Sequence, residues 1–147
     1  MIVFRSATQA DYVFALDLYV EAIRAYAEAW MTWVDDEQAA RFAANWRVED
    51  CRIISLDGCG DIGWLDMDLS GEPAFLRQLY IAKAHRGRGL GGAVMERLIA
   101  EWADRPAILS VLLNNPARRL YERCGFVPER EDGMRLWMRR QPPKSAA

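Results

Sequence analysis

The stretch HRGRGLGGAVMERLIAEW, His85 to Trp102, sets four glycines into the six positions 87–92 and then runs directly into an amphipathic segment. Leu90, Val94, Leu98 and Trp102 recur every four residues, and Met95 and Ile99 widen the stripe. This spacing predicts a helix from about Gly89 to Ala103 with one face buried against a sheet. Each glycine raises the entropy cost of ordering the loop, so the backbone itself is needed there. At a strand-to-helix junction the first helical N–H groups point outward unpaired, and the helix dipole adds partial positive charge. The result is an anion site for which phosphate is the common occupant. Arg86 and Arg88 interleave with the glycines and add charge. A tight turn needing glycine for close packing alone would not call for them.

The identity of the phosphate ligand depends on context. GRGLGG satisfies G-x-G-x-x-G, the dinucleotide fingerprint, and with Val94 the glycine-rich loop of kinases. A dinucleotide fold places an acidic residue at the end of the next strand. Here that strand, AILSVLL at 107–113, ends in Asn114 and Asn115. A kinase loop joins two strands, whereas this one opens a helix, and the chain lacks H-R-D and D-F-G. No Gly-Lys-Ser/Thr follows, which removes the P-loop.

The rest of the chain reads as one domain over 1–140, with residues 141–147, QPPKSAA, as a disordered tail. IVFRSA at 2–7 is a strand. Thr8 with Asp11 then forms a capping box for a helix over Ala10–Trp30, its apolar side at Val13, Leu16, Val20, Ile23 and Ala27. A second helix begins near Asp35 or Asp36. CRIISL at 51–56, IGWLDMDL at 62–69 and AFLRQLYI at 74–81 are strands. Pro116 to Arg123 is a short helix, and two last strands meet in a hairpin at Asp132–Gly133. The order is βααβββαβαββ, an α/β (α+β) class. With 52% hydrophobic residues over 147, the chain has material for one core. A formal charge of −2 argues against nucleic-acid binding. No apolar run reaches the roughly 18–20 residues of a membrane span, and MIVFRSATQADY lacks the pattern of a secretion signal. Three cysteines and one histidine without ligand spacing give no metal site. A cytoplasmic protein with reduced thiols is the expectation.

The second informative stretch is NNPARRLYERCGF, Asn114 to Phe126. Asn115 is placed to cap a helix with Pro116 at its first position, and Gly125 to close it in a left-handed conformation with Phe126 as apolar partner. Together with the glycine loop, this stretch resembles the GNAT superfamily of N-acetyltransferases. The acetyl-CoA signature Arg/Gln-x-x-Gly-x-Gly/Ala falls on Arg86–Gly91, and Asn-x-x-Ala-x-x-Leu-Tyr-x-x-x-Gly-Phe falls on Asn114, Ala117, Leu120, Tyr121, Gly125 and Phe126. The resemblance is firm from about Leu76 to Phe126. It implies a mixed central sheet flanked by helices, with acetyl-CoA as co-substrate. Its pyrophosphate would lie on Arg86, Gly87, Arg88, Gly89, Leu90, Gly91 and Gly92. Its pantetheine arm would lie along Leu79, Tyr80 and Ile81, with Asn114 and Ala117 on the cofactor side. The N–H of Ile81 would polarise the thioester carbonyl. Tyr121 would protonate the departing thiolate after direct attack by an amine. Cys124 is read as a small buried apolar residue and not as a nucleophile.

The resemblance leaves the general base open among Asp66, Asp68, His85 and water. AFLRQLYI has no carboxylate, and Asp66 and Asp68 share one face of their strand, plainly read as a solvated face. The acceptor is a small amine or a peptide N-terminus. Tyr26, Trp30, Trp33, Phe42 and Trp46, with Asp35 and Asp36, suit a cationic amine, although core packing of two helices explains the same aromatics. A catalytically silent acyl-CoA-binding module is the alternative function. A homodimer paired through the edge strands FVPERE and MRLWMRR is left open.

Overall fold

The computed structural model describes residues 1–143. Among them the elements are β1 (Ile2–Ser6), α1 (Tyr12–Ala27), α2 (Asp35–Asn45), β2 (Cys51–Leu56), β3 (Gly60–Asp68), β4 (Ala74–Ile81), α3 (Leu90–Trp102), β5 (Ala107–Leu112), α4 (Arg118–Arg123), β6 (Val127–Asp132) and β7 (Arg135–Arg140). This is the expected order. The strands form one seven-stranded mixed sheet, β1-β2-β3-β4-β5-β7-β6, with helices flanking it. Of the expected tail, residues 141–143 carry no regular structure and 144–147 lie outside the described residues. No helix among the described residues is long and apolar enough to cross a membrane. The described residues gather into two compact units: Met1–Asp66 with Gln78–Arg88, and Met67–Arg77 with the described residues from Gly89 onward.

In the first unit β1, β2 and β3 are antiparallel neighbours, with a register shift at Ile54/Ser55. The Asp11 carboxylate accepts the Thr8 N–H at 2.8 Å, so the expected Thr8–Asp11 cap is present. It opens a short 3-10 turn, Gln9–Asp11, and the α-helix follows at Tyr12. The inward face of α1 keeps part of the expected stripe, with Ala27 buried and Leu16, Val20 and Ile23 half-buried, but it is turned toward Ala15 and Leu18. Ala15, Leu18 and Ala27 are buried, while Val13 is 66% exposed. The reason is Trp64 on β3: its indole N–H donates to the Ala15 carbonyl at 3.1 Å, and only a small side chain leaves room for that approach. Phe42 and Trp64 centre a cluster against which Tyr12, Tyr19, Trp46 and Tyr80 pack.

In the second unit β4 and β5 pair in parallel over three residues only, Ala74–Leu76 with Ala107–Leu109. Here α3 buries Val94, Met95, Leu98 and Trp102, as its spacing predicts. The Trp102 indole donates to the Met67 sulfur at 3.0 Å, and its ring meets Phe126 edge-on. The C-terminal hairpin departs from expectation twice. MRLWMRR is not an edge strand, because β7 lies between β5 and β6. Asp132 pairs with Arg135, which makes Gly133–Met134 the turn, and Gly133 takes the positive φ of 59° it requires.

Candidate active site

Strand β4 ends against a backbone contact that fixes its last residues. The Ala82 N–H donates to the Ile62 carbonyl at 2.8 Å. The carbonyl of Ile81, the residue before, is engaged by the loop that follows. Arg86 Nε donates to that carbonyl at 2.9 Å, folding the loop back onto the strand end. A β-carbon on Gly63 would run into the Tyr80 carbonyl oxygen, so β3 and β4 are as close here as a bare backbone permits. Leu79, Tyr80 and Ile81 are all half-buried.

From there the chain makes a 3-10 turn, Lys83–His85, tied down by the Lys83 N–H donating to Glu21 at 2.9 Å. Arg88 Nη1 lies 3.3 Å from His85 Nδ1. Gly87 and Gly89 both adopt φ of +75°, a conformation that L side chains rarely take. Gly89 caps α3, and the first intrahelical bond shown there runs from the Ala93 N–H to the Gly89 carbonyl at 3.2 Å. The N–H groups of Leu90, Gly91 and Gly92 precede it in the first turn. The two later glycines have different reasons. A β-carbon at Gly91 would lie 3.0 Å from Leu120 Cδ2, so this glycine serves packing. One at Gly92 would meet nothing within 4 Å.

The short α4 carries Tyr121, and its ends are made by local chemistry. The expected Asn115 cap is displaced. Asn115 Oδ1 accepts the Ala117 N–H at 2.9 Å, but Pro116 and Ala117 belong to the turn and the helix begins at Arg118. The C-terminus closes as predicted. Phe126 N–H donates to the Tyr121 carbonyl and Gly125 N–H to the Glu122 carbonyl, both at 3.0 Å, with Gly125 at φ +94°. Tyr121 is 6% exposed, its ring packs against Phe126 at 6.1 Å, and among the described residues no hydrogen bond engages its hydroxyl. Burial pushes its phenol well above the ordinary value. Asn114 is exposed and Ala117 half-buried. Cys124 is half-buried rather than buried, because it lies at the helix end; desolvation raises its thiol, the opposite of what a nucleophile requires.

The carboxylates separate. Asp68 pairs with Arg77 at 3.0 Å and accepts both the N–H and the hydroxyl of Ser70. Asp66 is 1% exposed, which corrects the reading of a solvated face, and its Oδ2 accepts from the Gln78 amide at 3.3 Å. Asp35 accepts from the Trp33 indole at 2.9 Å and lies 3.6 Å from Arg24. Of the aromatics, Phe42 is a core member and Trp46 packs against it half-buried, whereas Trp30 is 46% exposed. Gln38 and Gln78 escape sequence reasoning. Tyr19 Oη donates to Gln38 at 3.3 Å, and Tyr80 Oη donates to Gln78 at 3.2 Å. For Gln78 a signal is present: it lies two residues from Tyr80, hence on the same face of β4.

Comparison with known proteins bears on this arrangement. A solved acetyltransferase from Thermus thermophilus superposes with a TM-score of 0.74 at 24% identity, covering 96% of this chain and 97% of that one. The PaiA N-acetyltransferase of Thermoplasma acidophilum, solved in complex with coenzyme A, gives a TM-score of 0.70 at 16% identity over 96% and 99% of the two chains. At these identities the likeness establishes the fold. The mycothiol acetyltransferase of Corynebacterium aurimucosum is 37% identical over 70 residues, 43% of this chain and 23% of that protein, so the match spans less than a quarter of that relative's length. The family model described as an acetyltransferase (GNAT) domain matches residues 29–128. The chain belongs to the GNAT acetyltransferase family.

Proposed function

We propose that the protein is an acetyl-CoA-dependent N-acetyltransferase that moves the acetyl group to a primary amine by direct attack in a ternary complex. The observation that carries this reading is the start of α3. Three first-turn N–H groups follow two glycines at positive φ, between Arg86 and Arg88 in sequence and the intrahelical ladder. Such a terminus suits the pyrophosphate of coenzyme A. The ladder between β4 and β5 ends at Leu76, and the Ile81 carbonyl is held by Arg86. Both features support a pantetheine arm along Leu79–Ile81 and an Ile81 N–H donating to the thioester oxygen as negative charge develops. Asn114 and Ala117 are assigned to the cofactor by the same reading.

In this reading the amine enters as the free base and its lone pair attacks the carbonyl carbon. The C–S bond breaks, Tyr121 gives its proton to the sulfur, the attacking nitrogen sheds its extra proton to the general base (Asp66, Asp68, His85 or water), and a proton from solvent restores the phenol. The phenol is protonated throughout the neutral range and so holds the proton that the departing sulfur takes. The elevated Cys124 thiol supports direct transfer over an acetyl-enzyme. The test is a panel of primary amines and short peptides offered with acetyl-CoA, with release of free thiol followed. Turnover of at least one amine with formation of the N-acetyl product is expected. Tight coenzyme A binding with no turnover on any member would instead make the chain a silent acyl-CoA-binding module.

A further inference from the structure

The first unit contains three half-buried rings in sequence: Trp33 on the segment between α1 and α2, Tyr19 on α1, and Tyr80 near the end of β4. Trp33 and Tyr19 have centroids 6.3 Å apart, and Tyr19 and Tyr80 6.0 Å apart. Tyr80 immediately precedes Ile81. The strip therefore ends one residue from the N–H assigned above to the thioester oxygen.

The three rings are also pinned, each by a polar partner. Tyr19 Oη donates to the buried Gln38. Tyr80 Oη donates to Gln78, whose amide in turn donates to Asp66. The Trp33 indole donates to Asp35, and the Arg24 guanidinium carbon lies 5.9 Å from the Trp33 ring centroid. Half-exposed aromatic rings are ordinarily free to turn; here their orientations are set in advance, which lowers the cost of binding something against them. Aromatic faces take planar groups by offset or edge contact and attract an ammonium through the ring quadrupole. Asp35 is engaged by Arg24 and the indole, so the carboxylate at the Trp33 end of the strip is already compensated. That composition suits one positive charge on a flat apolar body better than a chain of several positive charges.

We propose that Trp33, Tyr19 and Tyr80 are the specificity-determining surface for the acceptor, and that the acceptor is a primary amine borne on an aromatic ring. This rests on the N-acetyltransferase reading. It assigns the Tyr80 side chain to the acceptor and leaves its backbone to the cofactor.

The test compares phenethylamine and tyramine with spermidine and with ethylamine as acceptors. The wild-type enzyme is expected to favour the arylalkylamines by at least about tenfold in kcat/KM. Trp33→Ala and Tyr19→Leu are expected to raise the arylalkylamine KM about tenfold, with kcat, the ethylamine KM and coenzyme A affinity little changed. Trp33 sits outside the helices and strands, so its variant tests the idea even where Tyr19→Leu loosens the core. A preference for spermidine, or variants with an unchanged arylalkylamine KM, overturns the proposal. If no amine is acetylated, tryptophan fluorescence of the coenzyme A-loaded enzyme decides separately. Quenching by phenethylamine that is weakened at least tenfold in Trp33→Ala sustains the binding strip while the transferase reading falls; no quenching in the wild type removes the strip as well.

Discussion

The α-carbon of Gly63 on β3 faces the carbonyl oxygen of Tyr80 on β4 so closely that no side chain fits between them. The obstacle is backbone, which cannot rotate aside as a side-chain terminus would. Gly63→Ala must push β4 away at the residue before Ile81. Overpacking of this kind costs about 1–3 kcal/mol. We expect a lower urea midpoint with an unchanged m-value, and weaker coenzyme A binding than the stability loss alone would produce. Wild-type stability in Gly63→Ala would mean that the strands separate freely at this point.

Gly92 offers the cleaner probe of the proposed phosphate site. A β-carbon there meets nothing, whereas Gly91 abuts Leu120 and Gly89 needs positive φ. Gly92→Trp should therefore fold and melt close to wild type. Acetyl-CoA at about 100 times its Kd stabilises by about 2.7 kcal/mol through mass action, and the accompanying rise in Tm should vanish in Gly92→Trp. NAD and ATP should move the wild-type Tm little. A full acetyl-CoA shift in the variant would place the pyrophosphate elsewhere.

Tyr121→Phe keeps the ring against Phe126 and removes a hydroxyl that no hydrogen bond engages among the described residues. General acid catalysis contributes typically 10²–10⁴-fold, so kcat should fall by about that factor with acetyl-CoA affinity preserved. Stability should be unchanged or slightly higher, since no hydrogen bond is lost with the hydroxyl. Pre-steady-state kinetics must show chemistry to be rate-limiting. A kcat within threefold of wild type under that condition would reduce Tyr121 to a packing residue.

Asp11 governs the acid side of stability at the start of α1. Hydrogen bonding from Arg5 is the main cause that holds its carboxyl below the ordinary value; burial opposes it, and the Thr8 N–H assists. A carboxyl lowered in the folded state stabilises fully above its unfolded pKa, near 4, and loses that contribution as pH falls through the folded value. Asp11→Asn retains an acceptor for Thr8 and loses the charge. The wild type should exceed it by up to about 1 kcal/mol, constant from pH 7 to about pH 5 and shrinking below about pH 4. A difference independent of pH down to about 2 would assign the effect to the cap alone.

Where the sequence is informative, the signal is local. The α3 stripe, the left-handed glycine at 125 and the Thr8–Asp11 cap depend on residues a few positions apart, and each is present in the fold. The misreadings share another cause. Period-two alternation groups Asp66 with Asp68 on one face, but it does not say which part of that face is covered; one is buried and the other pairs with Arg77 at the rim. Apolar periodicity draws the α1 face through its larger residues, while the contact that orients the helix is made by the Ala15 carbonyl and a tryptophan 49 residues away. The Tyr19–Gln38 pair is illegible for the same reason, since a glutamine 19 positions away carries no pattern until its neighbours in space are known.

The six residues of α4 are too few to persist as a helix unaided. What holds Tyr121 is the peptide that follows: its own carbonyl accepts the N–H of Phe126, and Phe126 is locked in the interior beside Trp102. The aim of the phenol is thus inherited from a ring with no access to substrate. Under the proposed role of Tyr121 as proton donor, drift in sequence at position 126 is constrained by chemistry at position 121. A change of Phe126 that left the melting temperature untouched would still be expected to register in the rate of thiolate protonation.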